Sequence, residues 1–466
     1  MTAAASTLGQ EARWLAAPPR ALWPAVPLRR LLHGLGASLA LIWPALWNGY
    51  PLVFSDTGTY LSQAIQHYLG WDRPAFYSLF LLALHGCVST WPAVLAQGAI
   101  AVWIVSLCAR PMAPRALPWV LGALALASPL PVFVSQLMPD VFTGLLSLAL
   151  LLLILMPERL SCWERRGLAA FAAFAFSAHL SNLPIGGGVA PALLVLRRPL
   201  GARAPLSRRD WRRLAVPPML AVAALMAANV AAHRRAAIAP YGNVFLLARV
   251  IYDGPGRDVL RRNCPHAGWR LCRYANDLPA SADLFLWSDR GPVIRAGGAK
   301  LVSREAGPIL LAAFRAEPWR EARAMLGNTA RQLTMFHTGD GLHPWPRTVT
   351  PWIDRDFPRF EQRDYAAARQ TRGLAVLPPW LVWVQSAVAL GALAVCALLL
   401  PGAWRRRSPV AGLILATALT LLLNAAVTGA LSGPHDRYQS RVMWLPLLAA
   451  MLSGAEAIGA RGWARR

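Results

Sequence analysis

PVAGLILATALTLLLNAAVTGA, residues 409–430, contains no Asp, Glu, Lys or Arg. An α-helix rises about 1.5 Å per residue, so a run of this length spans the roughly 30 Å hydrocarbon core of a bilayer. Comparable apolar blocks fall at 31–50, 75–88, 92–109, 117–131, 141–156, 167–183, 184–196, 214–232, 375–400 and 438–456. They lack the strict apolar–polar alternation of a membrane barrel strand and therefore read as helices. At 466 residues and 56% hydrophobic, the chain is too apolar for an ordinary soluble domain. The expected fold class is an all-α polytopic membrane protein.

A formal net charge of +25 does not imply nucleic acid as a partner. The arginines sit mostly between and beside apolar blocks, where membrane topology accounts for them. Basic stretches occur in the N-terminal tail to Arg29 and Arg30, at Arg110 and Arg115, and in ERLSCWERR ending at Arg166. Others are Arg197 to Arg213, Arg405–Arg407, and the C-terminal Arg461, Arg465 and Arg466. The positive-inside rule assigns all of them to the cytoplasm. That requires block 75–88 not to cross; it is short, follows Pro74 and contains His85, as a juxtamembrane or re-entrant helix would. The expectation is ten crossings with both termini cytoplasmic. Residues 1–232 form a module of seven crossings, 233–374 an outer domain, and 375–466 a module of three. The outer loops are 51–91, 132–140, 180–185, 233–374 and 431–437. No small-residue cleavage site follows the first run, which reads as a retained anchor. Lys300 is the only lysine, an Arg bias that fits a GC-rich bacterial source and hence the inner membrane.

Cys87, Cys108, Cys162 and Cys396 lie in or beside apolar blocks and read as buried bystanders. Cys264 and Cys272 lie in a polar region and can form a disulfide if that region is exported. Residues 233–374 mix polar and apolar positions with many aromatics, the composition of a small folded domain or thick cap rather than of a disordered segment. A helical pattern covers 301–333, with Pro308 and Pro318 as breaks or starts. FHTGDGLHPWPRTVTPWIDRDFPRF, 336–360, reads as a loop, either a mobile lid or a fixed surface segment.

Charged residues recur at the outer ends of the crossings. Asp56, in FSDTGTYLSQAIQHYL, reads locally as a helix cap. Asp140, in VSQLMPDVFTGLL, is an acid at a helix start. Capping does not explain why Asp72, Arg73, Asp436 and Arg437 appear at the same depth, since ionisable groups near a membrane core usually face a polar cavity. The polar break at His179 and Asn182 falls on the same side. In GPHDRYQSRVMW, His435 and Asp436 precede Arg437 and Arg441, which are four apart and so share a helix face, where two guanidinium groups suit a phosphate. Interfacial anchoring beside Tyr438 and Trp444 is the competing account. No P-loop, dinucleotide fingerprint, HExxH or Cys/His cluster with metal spacing is present, and no metal or cofactor is expected.

In this order, the residues resemble the polytopic lipid-dependent glycosyltransferases of the GT-C superfamily, nearest to the protein O-mannosyltransferase and lipid A aminoarabinose transferase branch. Asp56 matches that family's acidic residue in the first outer loop, and DRPAFYSLF, 72–80, looks like its Arg/Lys-Pro-Pro-Tyr stretch with Ala75 replacing one proline. Asp140 matches an acidic residue between the third and fourth crossings. RYQSRVMWLP, 437–446, is similar to the Arg-Tyr segment opening the last crossing. The likeness covers the first four crossings and loosely the last; residues 233–374 match in position alone. Asp56 is a lone acid rather than one of a pair, a departure from a metal-assisted scheme. The resemblance implies a sugar donor carried on a polyprenyl phosphate and a glycan, lipid or protein acceptor at the outer face. Asp56 would be the catalytic base, Arg73, Arg437 and Arg441 the phosphate-binding groups, and Asp72, Asp140, His179, Asn182, His435 and Asp436 the site lining. The sequence also admits a transporter or flippase of a lipid-linked or anionic substrate, or a non-catalytic envelope assembly protein.

Overall fold

The computed structural model describes residues 28–201, 205–264 and 266–464. The N-terminal tail to residue 27, Arg203, Arg465 and Arg466, which carry part of the charge assignment, lie outside the described residues, as do the side chains of Arg29, Arg30 and Arg461. Every regular element among the described residues is helical, and the one extended pairing is a single bridge between Leu52 and Gln136. Five helical stretches among them are long and apolar enough to cross a membrane: Trp91–Met112, Arg208–His233, Pro379–Arg405, Pro409–Leu431 and Asp436–Ile458. The other apolar blocks form shorter helices, including Leu28–Leu41, Ala75–His85, Leu117–Ala127, Val141–Leu155, Cys162–Ala178 and Asn182–Leu196. The first block is broken into Leu28–Leu41 and Trp43–Asn48, because Pro44 lacks the N–H that would continue the first helix.

Val141–Leu155 lies at the centre of the bundle. All fifteen of its residues are buried, and it is walled in by Trp91–Met112, Cys162–Ala178, Asn182–Leu196, Arg208–His233 and Pro409–Leu431. A helix apolar on every side must be surrounded, here by protein rather than lipid. Gly144 permits a close contact: a Cβ there would lie 2.8 Å from the buried indole of Trp444. The lipid-facing role falls instead on Arg208–His233 and Pro379–Arg405, whose apolar windows are 22% and 33% buried, against 61% for the other three long stretches.

The two ends of the bundle differ in chemistry. At one end of Trp91–Met112, the Thr90 amide and hydroxyl donate to Glu361 at 2.8 and 2.7 Å. At the other end, Arg110 clasps Glu164 at 2.7 and 3.0 Å. Next to that clasp, Arg165 and Arg213 share Asp210. Loops rich in arginine thus gather at one end, and residues 233–374 at the other.

Residues 233–374 divide in two. Positions 241–313 enclose their own apolar core around Val244, Leu247, Phe285 and Val302, braced by a disulfide between Cys264 and Cys272 with a Cα separation of 5.4 Å. Pro308 lies inside Ala299–Ala316, whereas Pro318 begins Pro318–Thr334. Of the stretch read as a loop, only the first part is one. Thr350–Asp356 and Arg359–Ala367 are helices, and Val349, Ile353 and Phe357 enter the main core. Their four-residue spacing marks one helix face, and the prolines around them start helices rather than break them. Cys162, expected to be buried, is exposed.

The 336–349 segment is seated against the 51–91 stretch. A Cβ on Gly58 would fall 1.6 Å from the Thr348 carbonyl oxygen, and one on Gly341 (φ +76°) would fall 2.0 Å from the Phe54 ring. Gly58→Ala is therefore expected to cost about 1–3 kcal/mol through overpacking and to speed proteolysis within 336–349, measured by limited digestion. Cys264→Ser is expected to loosen the 241–313 core by about 2.5 kcal/mol, from the loop-closure entropy of a short cross-link. Hydrogen exchange in Asn243–Asp253 and Ala299–Ala316 reads that change.

Candidate functional site

Neither Asp56, which reads as a helix cap, nor Asp140, which reads as an acid at a helix start, caps its helix. Asp56 precedes Thr57–Ile65 and Asp140 precedes Val141–Leu155, but both have helical backbone angles and neither side chain bonds the first turn. A capping residue normally has extended angles. Both carboxylates turn to arginines instead. Asp56 Oδ2 lies 2.6 Å from Arg73 Nη2 and 3.8 Å from Arg437 Nη1. Asp140 Oδ1 lies 3.2 Å from Arg441 Nη1.

The backbone places these pairs in one corner. The Leu52 amide donates to Ser135 and the Leu137 amide to Leu52, each at 2.8 Å, so the segments leading to Asp56 and Asp140 run side by side. Thr57 Oγ1 donates to the Leu137 carbonyl at 3.2 Å. Gln63 orders the loop that carries Asp72 and Arg73: its Nε2 donates to the Pro74 carbonyl and Ser78 Oγ, and its Oε1 accepts from the Gly70 amide. Gln332, from Pro318–Thr334, pairs with both backbone groups of His435 and so fixes the last interhelical turn.

Arg441 is fully buried and saturated. Its guanidinium donates to Asp140, twice to Asn424 Oδ1 at 2.8 and 3.2 Å, and to Ser181 Oγ at 3.0 Å. His179 Nε2 lies 3.3 Å from Arg441 Nη1, and His179 Nδ1 lies 2.8 Å from Ser181 Oγ. A proton on Nδ1 lets Nε2 accept from the guanidinium, at the expense of the Ser181 amide, which approaches Nδ1 at 3.3 Å and would then lack that acceptor. Asn182 is equally committed, donating to the Ala175 carbonyl at 2.7 Å and accepting from Thr143 Oγ1 at 2.9 Å.

Above this floor lies a cavity of about 700 Å³. Asp56, Tyr60, Asp72, Arg73, His179 and Arg437 line its inner end, and Arg249, Asp253, Asn328 and Arg331 line its far end. The Arg437 guanidinium rests 3.8 Å from the Phe54 ring centroid, a cation–π contact. Its Nη1, although buried, has no hydrogen-bond partner. Burial disfavours the charge of Asp56, but the guanidinium of Arg73 and then that of Arg437 outweigh it, holding this carboxyl below the usual carboxylate range. Asp72 moves the opposite way: burial raises it, the Asp56 charge adds to the rise, and Arg73 only partly opposes them.

Of the residues singled out by sequence, Asp56, Asp72, Arg73, His179, His435 and Arg437 border the cavity. Asp140 and Arg441 form the buried pair beneath it, which corrects the expectation that Arg441 shares a phosphate with Arg437; its N–H groups are already taken. Asn182 is a packing residue rather than a lining one. Asp436 turns away from the cavity and accepts from the His337 amide at 2.8 Å. Unforeseen lining residues are Tyr60, Arg249, Asp253, Trp287 and Arg331, and Phe54 was unforeseen as the ring beneath Arg437. The i, i+4 spacing of Arg249 and Asp253 was the one available signal. Among the described residues, no group of three or more His, Cys, Asp or Glu side chains could hold a metal ion.

Fold and site together define an α-helical membrane protein with a charged cavity at one end of its bundle. No family model, curated protein or solved structure matches the chain.

Removing one partner of a buried pair strands the other's charge. Asp140→Ala is expected to destabilise the protein by about 3–5 kcal/mol. The double variant Asp140→Ala/Arg441→Met is expected to recover much of that loss, measured by thermal unfolding in detergent.

Proposed function

We propose that the protein is an inverting glycosyltransferase that moves a sugar from a polyprenyl-phosphate carrier to an acceptor at the outer face of a bacterial inner membrane. The observation that carries this reading is the buried Nη1 of Arg437, which makes no hydrogen bond and only a long 3.8 Å ion pair with Asp56, on a residue that lines a cavity beside the Asp56–Arg73 pair. A guanidinium with a spare N–H next to a second guanidinium is a ready receptor for a phosphate. Val427 and Leu431 flank the same cavity, and Leu431 is 45% exposed; they offer an apolar path for a prenyl tail. Ten crossings, cytoplasmic termini and an outward-facing 233–374 belong to this proposal, and the gathering of arginine-rich loops at the opposite end supports that orientation.

In the reaction, an acceptor hydroxyl oxygen attacks the anomeric carbon as the bond from that carbon to the phosphate oxygen breaks. The bonding pair leaves with the phosphate, whose growing charge Arg73 and Arg437 stabilise. The hydroxyl proton passes to Asp56. Drawing Arg73 and Arg437 toward the phosphate weakens their hold on Asp56 and strengthens it as a base when donor is bound. Attack opposite the leaving group inverts the anomeric centre.

Thermal-shift titration of the purified protein with a panel of polyprenyl-phosphate sugars tests the binding half. Donor stabilisation is expected in the wild type, weakened at least 10-fold in Arg437→Ala and retained in Asp56→Asn. Asp56→Asn is expected to lower the transfer rate by about 10²–10⁴-fold. Absence of stabilisation by every donor in folded protein refutes the reading; donor binding with normal transfer by Asp56→Asn refutes the role of Asp56.

The pH dependence follows from the same pairs. Free enzyme needs Asp56 ionised, so kcat/KM holds above the pKa of that carboxyl and falls as pH drops through it. Because the Asp56 pKa is lowered, the acid limb is expected below about pH 4, the ordinary carboxylate range. Arg73→Gln removes the stronger neighbouring charge and is expected to move that limb upward, as a pH–rate profile would show.

A further inference from the structure

The far end of the cavity takes no part in the scheme above, yet it is built as a binding surface. Arg249 is 2% exposed. Its Nη1 donates to both Asp253 Oδ2 at 2.9 Å and Glu321 Oε2 at 2.8 Å. Its Nε and Nη2 have no hydrogen-bond partner, and neither does Glu321 Oε1. A purely structural ion pair normally fills the guanidinium fork, since buried donors left unmade are costly. Here part of the fork is vacant on a residue that lines the cavity. Asn328 Nδ2 donates to Asp253 Oδ2 at 2.9 Å and Arg331 donates to Asn328, so donors and acceptors alternate along the wall.

Two further features select the ligand class. Two carboxylates (Asp253, Asp283) and two guanidinium groups (Arg249, Arg331) line this end, so their charges cancel and a phosphate gains no net attraction there. Neutral hydroxyls, each both donor and acceptor, suit such a wall. Beside it stands an aromatic platform. Trp287 lines the cavity, is 42% exposed, and stacks on Trp71 at 5.4 Å, with Phe245 completing the group at 5.8 Å. The electron-rich face of a ring attracts the polarised C–H groups of a pyranose. The Arg73 guanidinium lies 5.9 Å from the Trp287 ring centroid, so this platform adjoins the inner end of the cavity.

We propose that this outer pole is a saccharide-binding subsite, and, resting on the transferase reading, that the acceptor is a carbohydrate hydroxyl rather than a protein side chain. A sugar ring lies on Trp287, with its hydroxyls bridging Asp253 and the free edge of Arg249. One hydroxyl of the acceptor then points toward Asp56, to which it gives its proton as the new glycosidic bond forms.

The test uses the full chain in lipid nanodiscs, free of sugar-headed detergents that would occupy the subsite. Tryptophan fluorescence and thermal stability are followed during titration with maltose, lactose and chitobiose, with inorganic pyrophosphate as the anionic comparison. A saturable response to at least one disaccharide is expected, weakened 10-fold or more in both Trp287→Ala and Asp253→Asn, each shown folded by circular dichroism. Donor-induced stabilisation by polyprenyl-phosphate sugars should persist in both variants. No response to any disaccharide, a response that survives both substitutions, or pyrophosphate competing for the same site would each overturn the proposal. Disaccharide binding without donor stabilisation would overturn the transferase reading and leave the subsite standing. Donor stabilisation without disaccharide binding would do the reverse.

Discussion

The architecture turns on the burial of one guanidinium. Arg441 sits where the last long helix begins, with no exposed surface, and a bare charge there would cost several kcal/mol. Its fork is therefore met from three other places in the chain: Asp140 ahead of the central helix, Asn424 within Pro409–Leu431, and the His179–Ser181 turn. Satisfying that one residue fixes the relative height of four helix ends. The Gly144–Trp444 contact secures the same alignment by packing, and the Trp444 indole N–H donates to the Arg441 carbonyl at 3.0 Å.

The two aspartate–arginine pairs that result have opposite characters. Asp140–Arg441 is dry and nearly complete, and its effect is to hold the floor rigid. Asp56 is shared between Arg73 and Arg437, borders open volume, and leaves an Arg437 N–H unused. A guanidinium with every N–H taken has nothing to offer a phosphate, whereas one with an open N–H can exchange a carboxylate contact for a phosphate contact at little cost in hydrogen bonds. The same distinction applies at the other end of the cavity. Arg249 is anchored by two carboxylates yet keeps a free edge.

Much of this was legible in the sequence. The apolar blocks anticipated the helices closely, because a helix that faces lipid or an apolar core must be apolar along its length, whatever its partners. Threading those blocks through a bilayer leads to the expectation that Asp56, Arg73 and Arg437 share one side, and the three side chains do meet. Legibility ended where partner choice began. Asp56 carries the local signature of a helix cap and Asp140 that of a dipole-favoured acid at a helix start, and nothing within a few residues of either reveals that arginines 17 and 301 positions away would claim them. Arg437 and Arg441 looked equivalent by spacing; burial made one structural and left the other facing the cavity.

The sequence by itself determined an α-helical membrane protein, the placement of its helices and the set of charges that gather at one end, because hydrophobic length and charge asymmetry are properties of the chain alone. The tertiary structure decided which of those charges are spent on stability and which remain available, and that Arg249 and Trp287, from the segment hardest to read, complete the cavity. Such choices depend on the geometry of side chains far apart in the chain, where a difference of an ångström decides whether an N–H is satisfied or free.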